Sequence, residues 1–335
     1  MNIRPPRIAL WLLLLLLLAS GLQAEVIKIG SIAPARSIWD NALNDLSAQW
    51  AKITGGAVQL KVYPGGIVGN EEDMLTKMRL GTLGGAVFTN IGMSDIYSDA
   101  VVLNTPFLMD TDEEFNFVFD RLKPRLEQHV EEKGFKVIFW TLIGWEYFFT
   151  KNPVLYPEDM KKEKLSYSTS GTELAHAWRK MGYQLISVDL RDLLMALQSG
   201  MNTAFYLPPL MAASGQFFAL APHMLNLRLA PIVGSLILTT RAWNSIPERF
   251  RQPMLQAIDP IAARLHQQTL DLDKEALKTM ADNGLTIHQP PAGAPVKWKE
   301  VASLGMDELV GKAFSKEIYD EVQTSLREYR QKLGK

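Results

Sequence analysis

After residue 24 the chain alternates short strand-like runs with amphipathic helical stretches. That alternation restricts it to a layered α/β fold with mainly parallel sheets. Val26 to Ile32 reads as a buried first strand. Ser37 is placed to cap a helix carrying Ile38, Ala42, Leu46, Trp50 and Ile53 at near-helical spacing. Gly55-Gly56 ends it, because glycine accepts the left-handed C-cap conformation. Val58, Leu60 and Val62 alternate as a second strand closed by Pro64-Gly65-Gly66. A short helix through Met74, Leu75 and Met78 follows, and Ala86 to Thr89 reads as a third strand. Thr111 to Glu114 fits a capping box ahead of a helix with Phe115, Val118, Leu122, Leu126 and Val130 on one face. Strands are expected at 135–141 and 145–150, then a strand–helix–strand–helix unit at 164–169, 172–181, 184–188 and 190–199. From Pro247 to Asn283 runs one long amphipathic pattern. Proline lacks an amide donor and clashes with the preceding turn, so a kink is expected near Pro260. A strand at 285–289 and one or two helices complete the chain.

Residues 1–24 read as a cleavable signal peptide, with Arg4 and Arg7 before an apolar run from Ile8 to Ala19 and a small-residue site at Leu22-Gln23-Ala24. That run is well short of the ~20 residues that span a bilayer as a helix, which argues against the alternative of an uncleaved anchor. No cysteine follows it, so a lipoprotein anchor is excluded, and the mature protein is expected in the periplasm. The absence of cysteine also excludes disulfides, thiolate metal sites and a cysteine nucleophile. Stability must come from a core, which roughly 310 residues can bury, most readily as two domains. The formal net charge of −1 becomes −3 once Arg4 and Arg7 leave, and no long Lys/Arg run offers a nucleic-acid surface.

Six short pieces occur in an informative order: Pro34 with Trp39, Ala42 and Leu43; Thr54 to Gly69; Arg79 to Leu83; Pro106-Phe107-Leu108; Pro157 to Lys161; and Ala196-Leu197-Gln198 with Gly200 and Pro208. Together they resemble the solute-binding proteins of TRAP transporters, the tripartite ATP-independent periplasmic uptake systems. The resemblance implies an α/β, two-lobed type II periplasmic-binding fold with a long kinked helix spanning both lobes. The expected lobes are 25–146 plus 234–268 and 147–233 plus 269–335, with the ligand cleft between them. It also implies that ligand capture by lobe closure is read by TRAP membrane subunits. A periplasmic accessory protein delivering a lipid-like ligand is a further partner to consider.

The same resemblance shows where this chain departs. Most members carry an arginine in the strand after the Pro-Glu-Asp turn, where this sequence has Ser166. Many carry another on the preceding crossover strand, where it has Glu146. The family's acidic and amide residues after the Gln-x-Gly segment are replaced by Thr203 to Leu207, with Tyr206 and Leu207 at the Glu and Asn positions. A buried carboxylate without a cationic partner costs several kcal/mol. The expected ligand is therefore uncharged or hydrophobic (lipid-like), with one or two polar handles. Expected wall residues are Trp39, Phe88, Thr89, Trp145, Glu146, Tyr147, Ser166, Phe205, Tyr206 and Leu207. Trp39, Phe88 and Phe205 fit a packed core as readily as a ligand wall, and Glu146 fits a salt bridge or a solvent-facing place. Some members hold a metal through the Glu that is Tyr206 here, so neither metal nor cofactor is implied. The acidic run Asn70 to Asp73 reads as compensation of a helix dipole. The alternative ligand class is a carboxylate held by a displaced cation such as Lys151, Lys164, Arg179 or Arg191. The five histidines have no metal-ligand spacing, and no nucleophile-elbow or P-loop motif occurs, so an enzyme is not expected.

Overall fold

A computed structural model describes residues 24–167 and 172–334. The expected signal peptide (Ala24 apart) and the end of the strand expected at 164–169 lie outside the described residues. No helix among the described residues is long and apolar enough to cross a membrane.

The strands are, in chain order, β1 (Glu25–Gly30), β2 (Val58–Tyr63), β3 (Gly85–Thr89), β4 (Phe135–Trp145), β5 (Tyr147–Thr150), β6 (Lys164–Tyr167), β7 (Gln184–Ser187), β8 (Ala204–Leu207), β9 (His223–Leu225), β10 (Pro231–Thr239) and β11 (Thr286–His288). They form two sheets, ordered β2-β1-β3-β10-β4 and β11-β9-β5-β8-β6-β7. The sheets are mixed, which corrects the expectation of mainly parallel ones. β10 runs antiparallel to β3 and β4, and β5 runs antiparallel to β8 and β9. The reason is connectivity. β5 and β10 each enter their sheet directly from the other sheet, without the helical return that keeps successive strands parallel.

The first crossover also corrects the strand limits. β4 continues to Trp145, and the break falls at Glu146. There the backbone leaves β10 and pairs with the other crossing segment: Glu146 N–H donates to the Ala230 carbonyl, and Leu229 N–H donates to the Glu146 carbonyl, both at 2.9 Å. Gly144 has φ +148, and a Cβ there would lie 2.9 Å from Pro208 Cβ and 3.0 Å from Asp273 Oδ2. Only glycine lets the chain pass so close to these neighbours.

The first helix, Ile38–Thr54, is capped as its sequence implies: Asp40 N–H donates to Ser37 Oγ, and Gly55 closes the end in the left-handed region. Its buried face carries Leu43, Leu46 and Trp50, and Trp50 Nε1 donates to the Met254 carbonyl at 3.1 Å. That carbonyl belongs to the long bent helix, formed by Glu248–Gln256 and Ile258–Asp282. The interruption falls at Ala257, just N-terminal to Pro260. A proline at 260 removes the donor for the Gln256 carbonyl and crowds that turn, so the break appears before the ring. The helix packs on Ile38–Thr54 beside the first sheet and on Pro209–Ser214 beside the second. A final helix, Lys316–Lys332, lies along Asp112–Glu132. Between the two sheets Trp298 packs against Phe107 and Phe148, with ring centroids 5.6 and 5.3 Å apart, and its Nε1 donates to the Leu155 carbonyl.

Candidate functional site

A cavity of about 190 Å³ lies between the sheets. Its walls are mostly apolar. β3 contributes Val87 and Thr89, β4 Thr141 and Ile143, and β10 Ile232 and Gly234. From the other sheet come Ser166 and Tyr167 of β6 and Phe205, Tyr206 and Leu207 of β8, and Trp39 closes one side. In β3, β4 and β10 strand alternation explains the selection, because residues two apart share a face; β6 and β8 present consecutive residues to the cavity.

Seven of the ten expected wall residues meet here: Trp39, Thr89, Glu146, Ser166, Phe205, Tyr206 and Leu207. Three do not line the cavity. Phe88 points to the opposite face of β3 from Val87 and Thr89 and is wholly buried in the core. Trp145 lies beyond the turn at Gly144, donating its Nε1 to Asp112 Oδ1 and stacking under Arg228, whose guanidinium is 4.7 Å from the ring. Tyr147 packs against the core beside Arg228, where burial raises its hydroxyl above its ordinary pKa although Arg228 opposes this. Phe205 both lines the cavity and belongs to the core, stacked on Phe149 with centroids 5.0 Å apart.

Glu146 is not solvent-facing and, among the described residues, has no salt bridge. It is 2% exposed, and Asn104 Nδ2 donates to its Oε2 at 3.0 Å. Burial pushes this carboxyl up to about 8, against the pull of the Asn104 hydrogen bond. The hydroxyl of Tyr206, which is half-buried, is raised by its own desolvation and by the nearby Glu146.

A second carboxyl in the wall escaped the sequence reading. Asn70 and Asp73 do form a capping box, but Glu71 turns inward. Its Oε1 accepts from Thr89 N–H at 2.5 Å and its Oε2 from Thr89 Oγ1 at 3.2 Å. Burial raises it to about 7, partly offset by these hydrogen bonds. A signal was present: Glu71 falls on the helix face of Met74, Leu75 and Met78, all buried.

Among the described residues no Lys, Arg or His lines the cavity. Of the displaced cations considered, Lys164 donates to the Gly200 carbonyl at 3.4 Å, and Arg179 donates to the Tyr167 hydroxyl at 3.3 Å while lying over that ring. Arg191 and Lys151 are exposed. Arg191 belongs to a single 3-10 turn, Leu190–Asp192, that precedes the helix Leu193–Gln198. Among the described residues no group of three or more His, Asp or Glu side chains is arranged to hold a metal.

Residues 29–316 match the family described as bacterial extracellular solute-binding protein, family 7. A solute-binding protein of Chromohalobacter salexigens is 23% identical over 288 residues, covering 84% of each chain. The 2,3-diketo-L-gulonate-binding periplasmic protein YiaO of Escherichia coli is 22% identical over 269 residues, covering 77% of this chain and 81% of its own. Among solved structures, a TRAP periplasmic solute-binding protein of Chromohalobacter salexigens with bound D-glucuronate has a TM-score of 0.83 at 19% identity, covering 90% of this chain and 99% of its own. DctP7 of Bordetella pertussis, a receptor binding pyroglutamic acid, has a TM-score of 0.83 at 16% identity, covering 91% and 100%. With the two-sheet architecture, the bent helix and the inter-sheet cavity, these matches identify the chain as a member of the DctP family of TRAP periplasmic solute-binding proteins, which are binders and not enzymes.

Proposed function

We propose that the solute carried by this TRAP binding protein is uncharged or mostly apolar rather than an organic acid. The observation that carries this reading is the wall chemistry: two buried carboxyls, Glu71 and Glu146, among apolar side chains, with no cation lining the cavity among the described residues. An ionised ligand carboxylate would lose its hydration and find no guanidinium from which to accept a hydrogen bond. Trp39, Thr89, Glu146, Ser166, Phe205, Tyr206 and Leu207 are the proposed contacts. Residues 25–146 with 234–268 and 147–233 with 269–335 are the proposed lobes that close on the solute. Closure presents the loaded form to the membrane subunits that the family implies.

The test is native mass spectrometry of protein purified without refolding, followed by extraction and identification of any bound small molecule. A copurified neutral or lipid-like compound supports the reading. Protein that is empty, and that binds simple organic acids tightly by calorimetry, overturns it. One contact favours a second reading, a carboxylate binder with a displaced cation. Tyr167 lines the cavity and its hydroxyl already accepts from Arg179, so a guanidinium stands one side chain behind the wall. Under that reading Arg179→Ala abolishes binding of the acid, whereas an apolar ligand keeps its affinity.

A further inference from the structure

We infer that Arg191 is a strap across the mouth of the cavity, its side-chain stem resting on Gly66 of the opposite rim and holding the mouth closed. The inference goes beyond the proposed function, because it holds for either class of solute.

The two rims come from different sheets. On one side the turn 64–67 follows β2 of the first sheet and is tied to the cavity wall. Gly65 N–H donates to the Ala33 carbonyl at 2.7 Å, and Gly66 N–H to the Ser31 carbonyl at 2.9 Å. Ala33 lines the cavity, with Ile32 and Pro34 on either side of it. On the other side the 3-10 turn Leu190–Asp192 follows β7 of the second sheet. Val188, Leu190 and Leu193 around it line the cavity, and Val188 N–H donates to the carbonyl of Tyr167, another wall residue, at 3.0 Å. Each rim is therefore anchored to the wall of its own sheet.

Arg191 joins one rim to the other. A Cβ built on Gly66 would lie 3.5 Å from Arg191 Cδ and 4.0 Å from its Nε. Apart from Gly69 O of the same turn, at 3.6 Å, these are the nearest atoms. Gly66 is buried although Gly65 and Ile67 beside it are exposed, and the arginine stem is part of its cover. Its φ of +68 suits glycine, and the missing side chain leaves the stem a flat seat. Among the described residues the guanidinium has no ion-pair partner, so the apolar stem carries the contact. Leu190 and Leu193 flank Arg191 in sequence, so lifting the stem from Gly66 frees the segment that walls the cavity at its mouth.

The test reads the width of the mouth directly. The chain has no cysteine, so Ile67→Cys and Met195→Cys carry spin labels at two exposed positions, one on each rim. Pulsed EPR on the full protein is expected to show one dominant distance. Arg191→Ala should populate a longer one, changing the ratio of short to long about fourfold, the factor that one methylene returned to water supplies. Thermal stability should stay unchanged, since the side chain is exposed. Arg191→Met keeps the stem without the charge and should retain the parent distribution. Gly66→Asn, a residue that tolerates the left-handed region, should widen the mouth by wedging the stem away. A parent without a dominant distance, or an Arg191→Ala distribution equal to the parent's, overturns the strap. Arg191→Met behaving like Arg191→Ala overturns its assignment to the stem. The solute class is decided separately, by the mass spectrometry described above.

Discussion

Glu146 is the residue on which most of the site's chemistry turns, and its ionisation has a consequence for stability. Its carboxyl has an ordinary pKa of 4.5 in the unfolded chain and about 8 when folded, because burial disfavours the charge. Between these values the folded protein keeps a proton that the unfolded chain has released. Its stabilising contribution is therefore complete below pH 4.5 and falls as the pH rises through that window to about 8. Glu146→Gln keeps the Asn104 contact and removes the titration. Its stability relative to the parent should rise with pH by up to about 1.4 kcal/mol per unit between pH 5 and 8. Urea unfolding at both ends of that range measures this, and a difference independent of pH would refute it. Glu71, raised to about 7, acts in the same direction over a narrower range. How much of this was legible in the sequence differs between the two residues. That Glu146 stands where many family members carry an arginine was an expectation drawn from the surrounding motif. The inward turn of Glu71 was hidden in an acidic run whose other members do cap a helix.

At the scale of elements, caps and breaks were legible because they are local. Ser37, Thr111 and Gly55 act within one turn of themselves, and Pro260 places the break of the long helix at Ala257, one turn upstream. The docking of the last helix was not legible, since its partner lies some 200 residues away in sequence. Arg330 donates from Nε to Glu114 Oε1 at 2.8 Å and from Nη2 to Oε2 at 2.9 Å, joining Lys316–Lys332 to the start of Asp112–Glu132. Glu114 is partly desolvated, which alone would raise its pKa, yet the Arg330 bonds and the Asp110 amide hold it below the ordinary value. The stabilisation is present above the ordinary value and is lost as the pH falls through the lowered one. Arg330→Ala should cost about 1–2 kcal/mol at pH 7, discounted for the arginine's partial exposure, and much less near pH 3. Chemical denaturation at the two pH values distinguishes this from a loss of packing alone.

For the whole molecule, the informative point is where the chain crosses between sheets. Gly144, Glu146 and the segment 229–231 bring both crossings together beside the bent helix, where Asp273 Oδ1 accepts from Leu210 N–H at 2.9 Å. The lobe closure proposed above would pivot near these strands, which would tie their backbone geometry to function as well as stability. Gly144→Ala would force a side chain into a left-handed conformation against Pro208 and Asp273. It should destabilise by about 1–3 kcal/mol. In thermal unfolding the ligand-induced gain in Tm should shrink as well. A variant with normal Tm and normal ligand response would show that the crossover can relax.

The sequence by itself determined the α/β order of elements, the caps, the broken long helix and membership of a TRAP solute-binding family, all of which depend on neighbours within a few turns or on a frame of short motifs. Its resemblance to that family also implied that Ser166 and Glu146 stand where many members carry arginines. Only the tertiary structure decided which face of each strand meets the cavity, turning Thr89 toward it and Phe88 away into the core, and bringing Glu71 and Glu146 into one cavity wall. Periodicity groups residues into faces, but which face is covered depends on how two sheets, contributed by distant parts of the chain, come to stand against each other.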